Sequence, residues 1–203
     1  MTDSPAADWL RRFTTTALDR EPDLTALDQA AGDGDFGANI AGAARLIQSE
    51  LDGLVAGTPA AEVIAAAAHV FLDRVGGTSG PLFGLLLQEF AAATVKAGDL
   101  TPAALTEGTT NGLAAIQRVG EAQVGDKTLV DALSPAADAL KALPPSTPLT
   151  EAFAVAARAA EEGAEATAGI RARRGRASYV GDHAIGVTDP GAMTIGLLFA
   201  AGT

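Results

Sequence analysis

The chain has 203 residues, 48% of them hydrophobic and 4% aromatic, with 25 acidic against 14 basic side chains and no cysteine. A net charge of −11 argues against nucleic acid and anionic membrane as partners, since both are bound by surplus Lys and Arg. The missing cysteine excludes disulfides, thiolate metal sites and a Cys nucleophile, while the length suits one hydrophobic core and a single domain over residues 1–203.

Alanine is the strongest helix former, and the residues that favour strands are scarce, so the composition leans to an all-α fold. Prolines then divide the chain. Ser4-Pro5, Thr58-Pro59, Thr101-Pro102, Ser134-Pro135, Thr147-Pro148 and Asp189-Pro190 each read as a helix start. In these pairs the first side chain accepts from orphan N–H groups, and proline at the first helical position lacks only a donor that had no partner. With apolar residues recurring at three- and four-residue spacing between these points, helices are predicted over 5–20, 24–31, 36–52, 59–75, 79–97, 101–119, 129–142, 148–171 and 190–201. Leu143 to Pro148 reads as a turn. Met1–Leu10 lacks the basic-then-apolar order of a leader. Leu82–Leu87 and Met193–Ala201 fall well short of the roughly 20 apolar residues that span a bilayer, so a cytoplasmic protein is expected.

Four glycine-rich stretches interrupt the helices. The first, Leu27 to Asn39, holds Asp28, Asp33 and Asp35 with glycines on both sides of Asp33. Carboxylates so close repel one another, and a hard cation is their natural partner; magnesium suits better than calcium, which needs further ligands and a late Glu. Helix N-caps on a solvated loop are the other reading of the same residues. The second, Gly76-Gly77-Thr78-Ser79-Gly80-Pro81-Leu82-Phe83-Gly84, resembles an anion cradle at a helix N-terminus, or equally a capped turn, and lacks the Gly-Lys-Ser/Thr ending of a Walker loop.

The third is Gly125-Asp126-Lys127-Thr128-Leu129-Val130-Asp131. The fourth carries Arg171, Arg173, Arg174 and Arg176 ahead of Ser178-Tyr179, a density of positive charge that would suit a polyphosphate. One or two of Arg171, Arg173 and Arg174 are expected instead to balance the C-terminus of the long helix before them. His69 reads as a packing or surface residue. His183 lies in the charged loop, with no second His or Cys to complete a metal set.

Taken in order, these segments resemble the nucleotide-binding L subunit of dihydroxyacetone kinases and the matching domain of the single-chain kinases. The resemblance rests on Asp28 followed by Gly32-Asp33-Gly34-Asp35, then Gly76-Gly77-Thr78-Ser79-Gly80-Pro81-Leu82-Phe83-Gly84, Gly125-Asp126-Lys127-Thr128, Gly175-Arg176-Ala177-Ser178-Tyr179 and Asp189-Pro190-Gly191-Ala192. It implies a closed barrel of about eight antiparallel helices with the nucleotide at one end. It implies that Asp28, Asp33 and Asp35 bind two magnesium ions, and that ADP or ATP contacts Gly37, Ala38, Asn39, Thr78, Ser79, Gly120, Leu129, Arg176, Asp189, Pro190 and Gly191. Residues from Arg173 to Val187 would form a lid.

The resemblance further implies phosphoryl transfer, with Asp28, Asp33, Asp35 and Arg176 at the reacting phosphate, to a short hydroxyketone held on a separate substrate-binding subunit. A chain of this length favours the phosphotransferase-linked mode, in which ADP stays bound and a phosphocarrier protein recharges it, over free ATP exchange. Another short ketose as acceptor, and a non-catalytic nucleotide sensor acting on a transcriptional regulator, are the competing readings. The chain departs from the family at Phe36, where a His is usual, and in a lid that lacks the usual Glu-Arg pair and later His.

Overall fold

Ser4 opens the first helix: its hydroxyl accepts from the Ala7 amide at 3.3 Å, and Pro5 takes the first helical position of α1, Pro5–Asp19. The same device begins α6, Pro102–Gly120, where Thr101 accepts from Ala104, and α9, Pro190–Ala200, where Asp189 accepts from Ala192. The computed structural model describes residues 4–203, so the first three positions of the Met1–Leu10 stretch read for a leader lie outside the described residues. The other helices are α2, Glu21–Ala31; α3, Phe36–Gly53; α4, Ala60–Arg74; α5, Ser79–Ala97; α7, Val130–Lys141; and α8, Leu149–Ala166. Among the described residues there is no strand, and no helix is long and apolar enough to cross a membrane.

Three expectations need correction. Ser134-Pro135 starts nothing, because Pro135 lies inside α7. Having no N–H, it leaves the Asp131 carbonyl without its helical donor, and Gly163 of α8 packs against that carbonyl so closely that a Cβ there would stand 2.3 Å from the oxygen. Helix α2 begins at Glu21 rather than 24, since Pro22 is tolerated in a first turn. Helix α8 ends at Ala166 rather than 171: the Thr167 hydroxyl donates to the Ala164 carbonyl at 2.5 Å, and the chain tightens into a 3-10 turn over Thr167–Gly169.

Each helix packs on its successor from α3 to α9, α9 packs on α1, and α1 returns to α3, which closes a ring of eight with α2 laid against α3. Most connections are short and make neighbours antiparallel, and the long excursion from Thr167 to Asp189 still joins adjacent helices. Trp9 fills the middle of the ring, its ring centroid 5.6 Å from Phe90 of α5 and 5.2 Å from Phe153 of α8, while its indole N–H donates to the Leu198 carbonyl of α9 at 2.7 Å. The seam between α9 and α1 is tied again by Arg12 Nε, which donates to the Ala201 carbonyl at 2.6 Å. Alternation of direction brings the N-termini of α3, α5, α7 and α9 to one rim, and the site lies there.

Candidate functional site

The three aspartates converge. Asp28 comes from the last turns of α2, and Gly34, in the left-handed region at φ 80°, turns the chain between Asp33 and Asp35. One oxygen of each carboxylate lies within 4.8 Å of the others. Asp35 occupies the cap position of α3 but makes no cap bond with its side chain; Asp28 supplies it instead, accepting from the Phe36 amide at 3.0 Å. The capping explanation therefore covers Asp28 alone, and two of three carboxylates have no helix to serve.

Next to this cluster lies a cavity of about 380 Å³. Its wall is apolar at Phe36, Ile40, Leu82, Ile116, Leu129 and Val130. Its rim is polar, with Asn39 from α3, Thr78 and Ser79 at the start of α5, and Asp189 to Gly191 at the start of α9. Thr78 makes no side-chain cap bond on α5. Helix N-termini present unsatisfied N–H groups and the positive end of the macrodipole, so four of them meeting at one rim suit an anion, and the apolar slot between suits a flat ring.

Of the sequence candidates, Asp28, Asp33, Asp35, Asn39, Thr78, Ser79, Gly120, Leu129, Arg176, Asp189, Pro190 and Gly191 all line this cavity. Gly37 and Ala38 do not. Gly37 is the point where α2 and α3 approach, since a Cβ there would meet Thr25 Oγ1 at 2.1 Å and the Glu21 carbonyl at 2.6 Å, and Ala38 is exposed to solvent.

The segment from Arg173 to Val187 contains two 3-10 turns, Arg176–Tyr179 and Gly181–Ala184, and its residues Arg174 to Ala177 border the cavity. The Arg176 guanidinium forms an ion pair with Asp33. The expectation that Arg171, Arg173 or Arg174 balances the end of α8 is overturned, because the helix stops short and its last turn holds no basic residue. Arg171 lies 3.2 Å from Asp182, Arg173 and Arg174 each 3.9 Å from Asp126, and Arg174 3.7 Å from Glu121. Both histidines are exposed.

Two ionisable groups that line the cavity are perturbed. At the half-buried Asp189, loss of water pushes the carboxyl pKa up to about 7, against the opposing pull of the Ala192 amide and the Lys127 charge. Lys127 is held below the usual lysine range by its own burial, with the charges of Asp189 and Asp131 acting the other way. Neither perturbation is legible in the sequence, where Lys127 is one polar residue of a glycine-led segment.

The sequence matches the DAK2 domain family over residues 30–203. The chain belongs to that family. Within it, this DAK2 chain is 38% identical over 194 residues to the L-erythrulose 1-kinase of Mycolicibacterium smegmatis, an alignment covering 95% of the chain and 34% of the relative. It is 35% identical over 176 residues to the ADP-binding subunit DhaL of PEP-dependent dihydroxyacetone kinase 2 from Listeria innocua, covering 86% of the chain and 82% of that subunit. The crystal structure of the dihydroxyacetone kinase from C. freundii in complex with AMP-PNP and Mg2+ superimposes with a TM-score of 0.73 at 30% identity, over 99% of this chain and 34% of that one. The DAK2 chain thus spans about a third of the length of its longer relatives and most of the length of the L subunit.

Proposed function

We propose that this chain is the nucleotide-binding, phosphoryl-transfer subunit of a dihydroxyacetone-type kinase and acts on a short hydroxyketone presented by a separate substrate-binding subunit in the cytoplasm. The observation that carries this reading is the meeting, at one rim, of three carboxylates, Arg176 and four helix N-termini around an apolar slot.

The donor set fits magnesium: three hard carboxylate oxygens lie close enough to share a cation, and a cationic side chain is already drawn to one of them. Two magnesium ions held by Asp28, Asp33 and Asp35 would supply neutralisation of polyphosphate charge. Leu82, Ile116 and Leu129 grip the base of ADP or ATP, and the N–H groups opening α5 and α9 bind phosphate oxygens. Arg176, on the lid, balances the charge that develops on the phosphoryl group in flight. Closing the lid excludes water from the reacting end.

Two names among the relatives bear on how the nucleotide is used and on the acceptor. The PEP-dependent Listeria subunit supports a nucleotide that stays bound and is recharged by a phosphocarrier protein, and the M. smegmatis kinase supports a four-carbon ketose as an alternative acceptor. The deciding experiment combines the chain with a cognate substrate-binding subunit and either dihydroxyacetone or erythrulose. Phosphate ester is expected from the unsubstituted chain and none from Asp33→Ala; equal product from both would sink the metal assignment. Retention of ADP through dialysis with recharging only by a carrier supports the linked mode, and rapid exchange with ATP rejects it. Nucleotide-dependent capture of a transcriptional regulator without turnover would replace the kinase reading with a sensor.

A further inference from the structure

Lys127 is only 1% exposed, although it stands beside the cavity just described. A lysine there would ordinarily offer its amine to phosphate. Instead Nζ donates to the carbonyl of Thr167 at 2.6 Å and to the carbonyl of Val187. These two carbonyls stand at the two ends of the excursion that leaves α8, forms the lid and returns to α9.

Other bonds cross the same neck. The Gly186 amide donates to the Ala168 carbonyl at 2.7 Å, and the Arg173 amide donates to the Asp126 carbonyl at 3.0 Å, next to Lys127 itself. The Thr167 hydroxyl accepts from the Asp189 amide at 2.8 Å, which links the neck to the N-terminus of α9. Lys127 adopts φ 63°, a left-handed conformation that side-chain-bearing residues rarely adopt. Buried Asp131 holds it there by accepting from the Gly125 amide at 2.5 Å and the Thr128 amide at 2.8 Å, one on each side. Such strain and burial in one residue need a compensating use, and Nζ donates to both ends of the lid.

We infer that Lys127 is a positioning residue that fastens both ends of the lid to the wall of the nucleotide cavity, and so sets how long a nucleotide is retained without touching it. The inference rests on the nucleotide-site reading above for its functional half only. Its structural half concerns the lid in the empty protein.

The test uses the full chain carrying Lys127→Met, compared with Leu10→Ala, a core substitution in α1 chosen to lower the melting temperature comparably. Amide exchange of the nucleotide-free proteins is read residue by residue. Arg173 and Gly186 should lose protection by about tenfold or more in Lys127→Met relative to the core variant. Dissociation of a fluorescent ADP analogue with Mg2+ should quicken by about tenfold, with its association rate unchanged. Lid amides as protected as in the core variant, or an equal dissociation rate, would overturn the assignment.

If the unsubstituted chain binds no nucleotide, the site reading fails while the exchange data still decide the clamp. Should Lys127→Met not fold, exchange of the unsubstituted chain in rising denaturant replaces it. Arg173 and Gly186 are expected to open with a single free energy, and two independent openings would reject a shared anchor.

Discussion

Arg176 and Asp33 form an ion pair across the mouth of the cavity, so the guanidinium occupies one of the three carboxylates that a metal would need. Both partners are well exposed, at 63% and 34%, and such pairs contribute little to stability. Arg176→Ala should therefore leave the urea midpoint nearly unchanged. By removing a competitor it should tighten Mg2+ binding to the nucleotide-free chain a few-fold in calorimetry. Turnover with the substrate subunit should fall by about 10- to 1000-fold, the range seen when one charge-stabilising donor is lost. Weaker metal binding in the empty variant would contradict the competition.

Asp28 and Asp35 should separate by stability though both are proposed ligands. Asp28 also caps α3 through the Phe36 amide, whereas Asp35 makes no cap bond. Asp28→Ala is expected to cost about 1 kcal/mol in urea unfolding, the usual worth of a cap, and Asp35→Ala less than about 0.5 kcal/mol. Both should abolish most turnover. Equal stability losses would contradict the division of labour.

Asp189 imposes a pH dependence of definite sign. Its carboxyl is raised from 3.8 to about 7, so between those values the folded chain keeps a proton that the unfolded chain has released. Stability from this group is full below about pH 4 and is lost as the pH climbs through 7. The loss should be roughly 1 to 3 kcal/mol, reduced from the full linkage value because the group opens partly on the cavity. Asp189→Asn keeps the cap on the Ala192 amide and should remove that part of the slope. Nucleotide-free urea midpoints at pH 5 and pH 8 measure it, and identical slopes in the two proteins would count against the raised carboxyl.

Gly108 tests the ring rather than the site. A Cβ there would stand 2.4 Å from Cδ1 and 2.8 Å from Cα of Phe90, so α5 and α6 touch backbone to backbone at that level. Gly108→Ala should destabilise by about 1 to 3 kcal/mol through overpacking, despite alanine's better helix propensity. Thermal melting checks this, and a rise in melting temperature would refute the contact.

Much of this was legible in the sequence, for reasons that differ by residue. Ser4, Thr101 and Asp189 announce helices because a cap acts on amides three residues away, and local chemistry of that kind survives without the fold. Pro135 misleads because the cost of a mid-helix proline depends on what its orphaned carbonyl meets, and Gly163 comes from another helix. The end of α8 is hidden because alanines continue past Ala166, while the stop comes from Thr167 and a neck formed with Gly186 and Asp189. The aspartates and the glycine loop stood out as departures from periodicity. Lys127 did not, since a lysine aimed at distant carbonyls looks the same in one dimension as a lysine aimed at phosphate.

The seam where α9 meets α1 has a topological consequence. Trp9 reaches the Leu198 carbonyl and Arg12 reaches the Ala201 carbonyl, so the first and last helices run side by side. A ring closed in this way has no obligatory first helix. A short peptide joining Thr203 to Ser4, with new ends opened in the exposed turn between α7 and α8, would preserve every helix-to-helix interface and leave the rim that carries the carboxylates uncut.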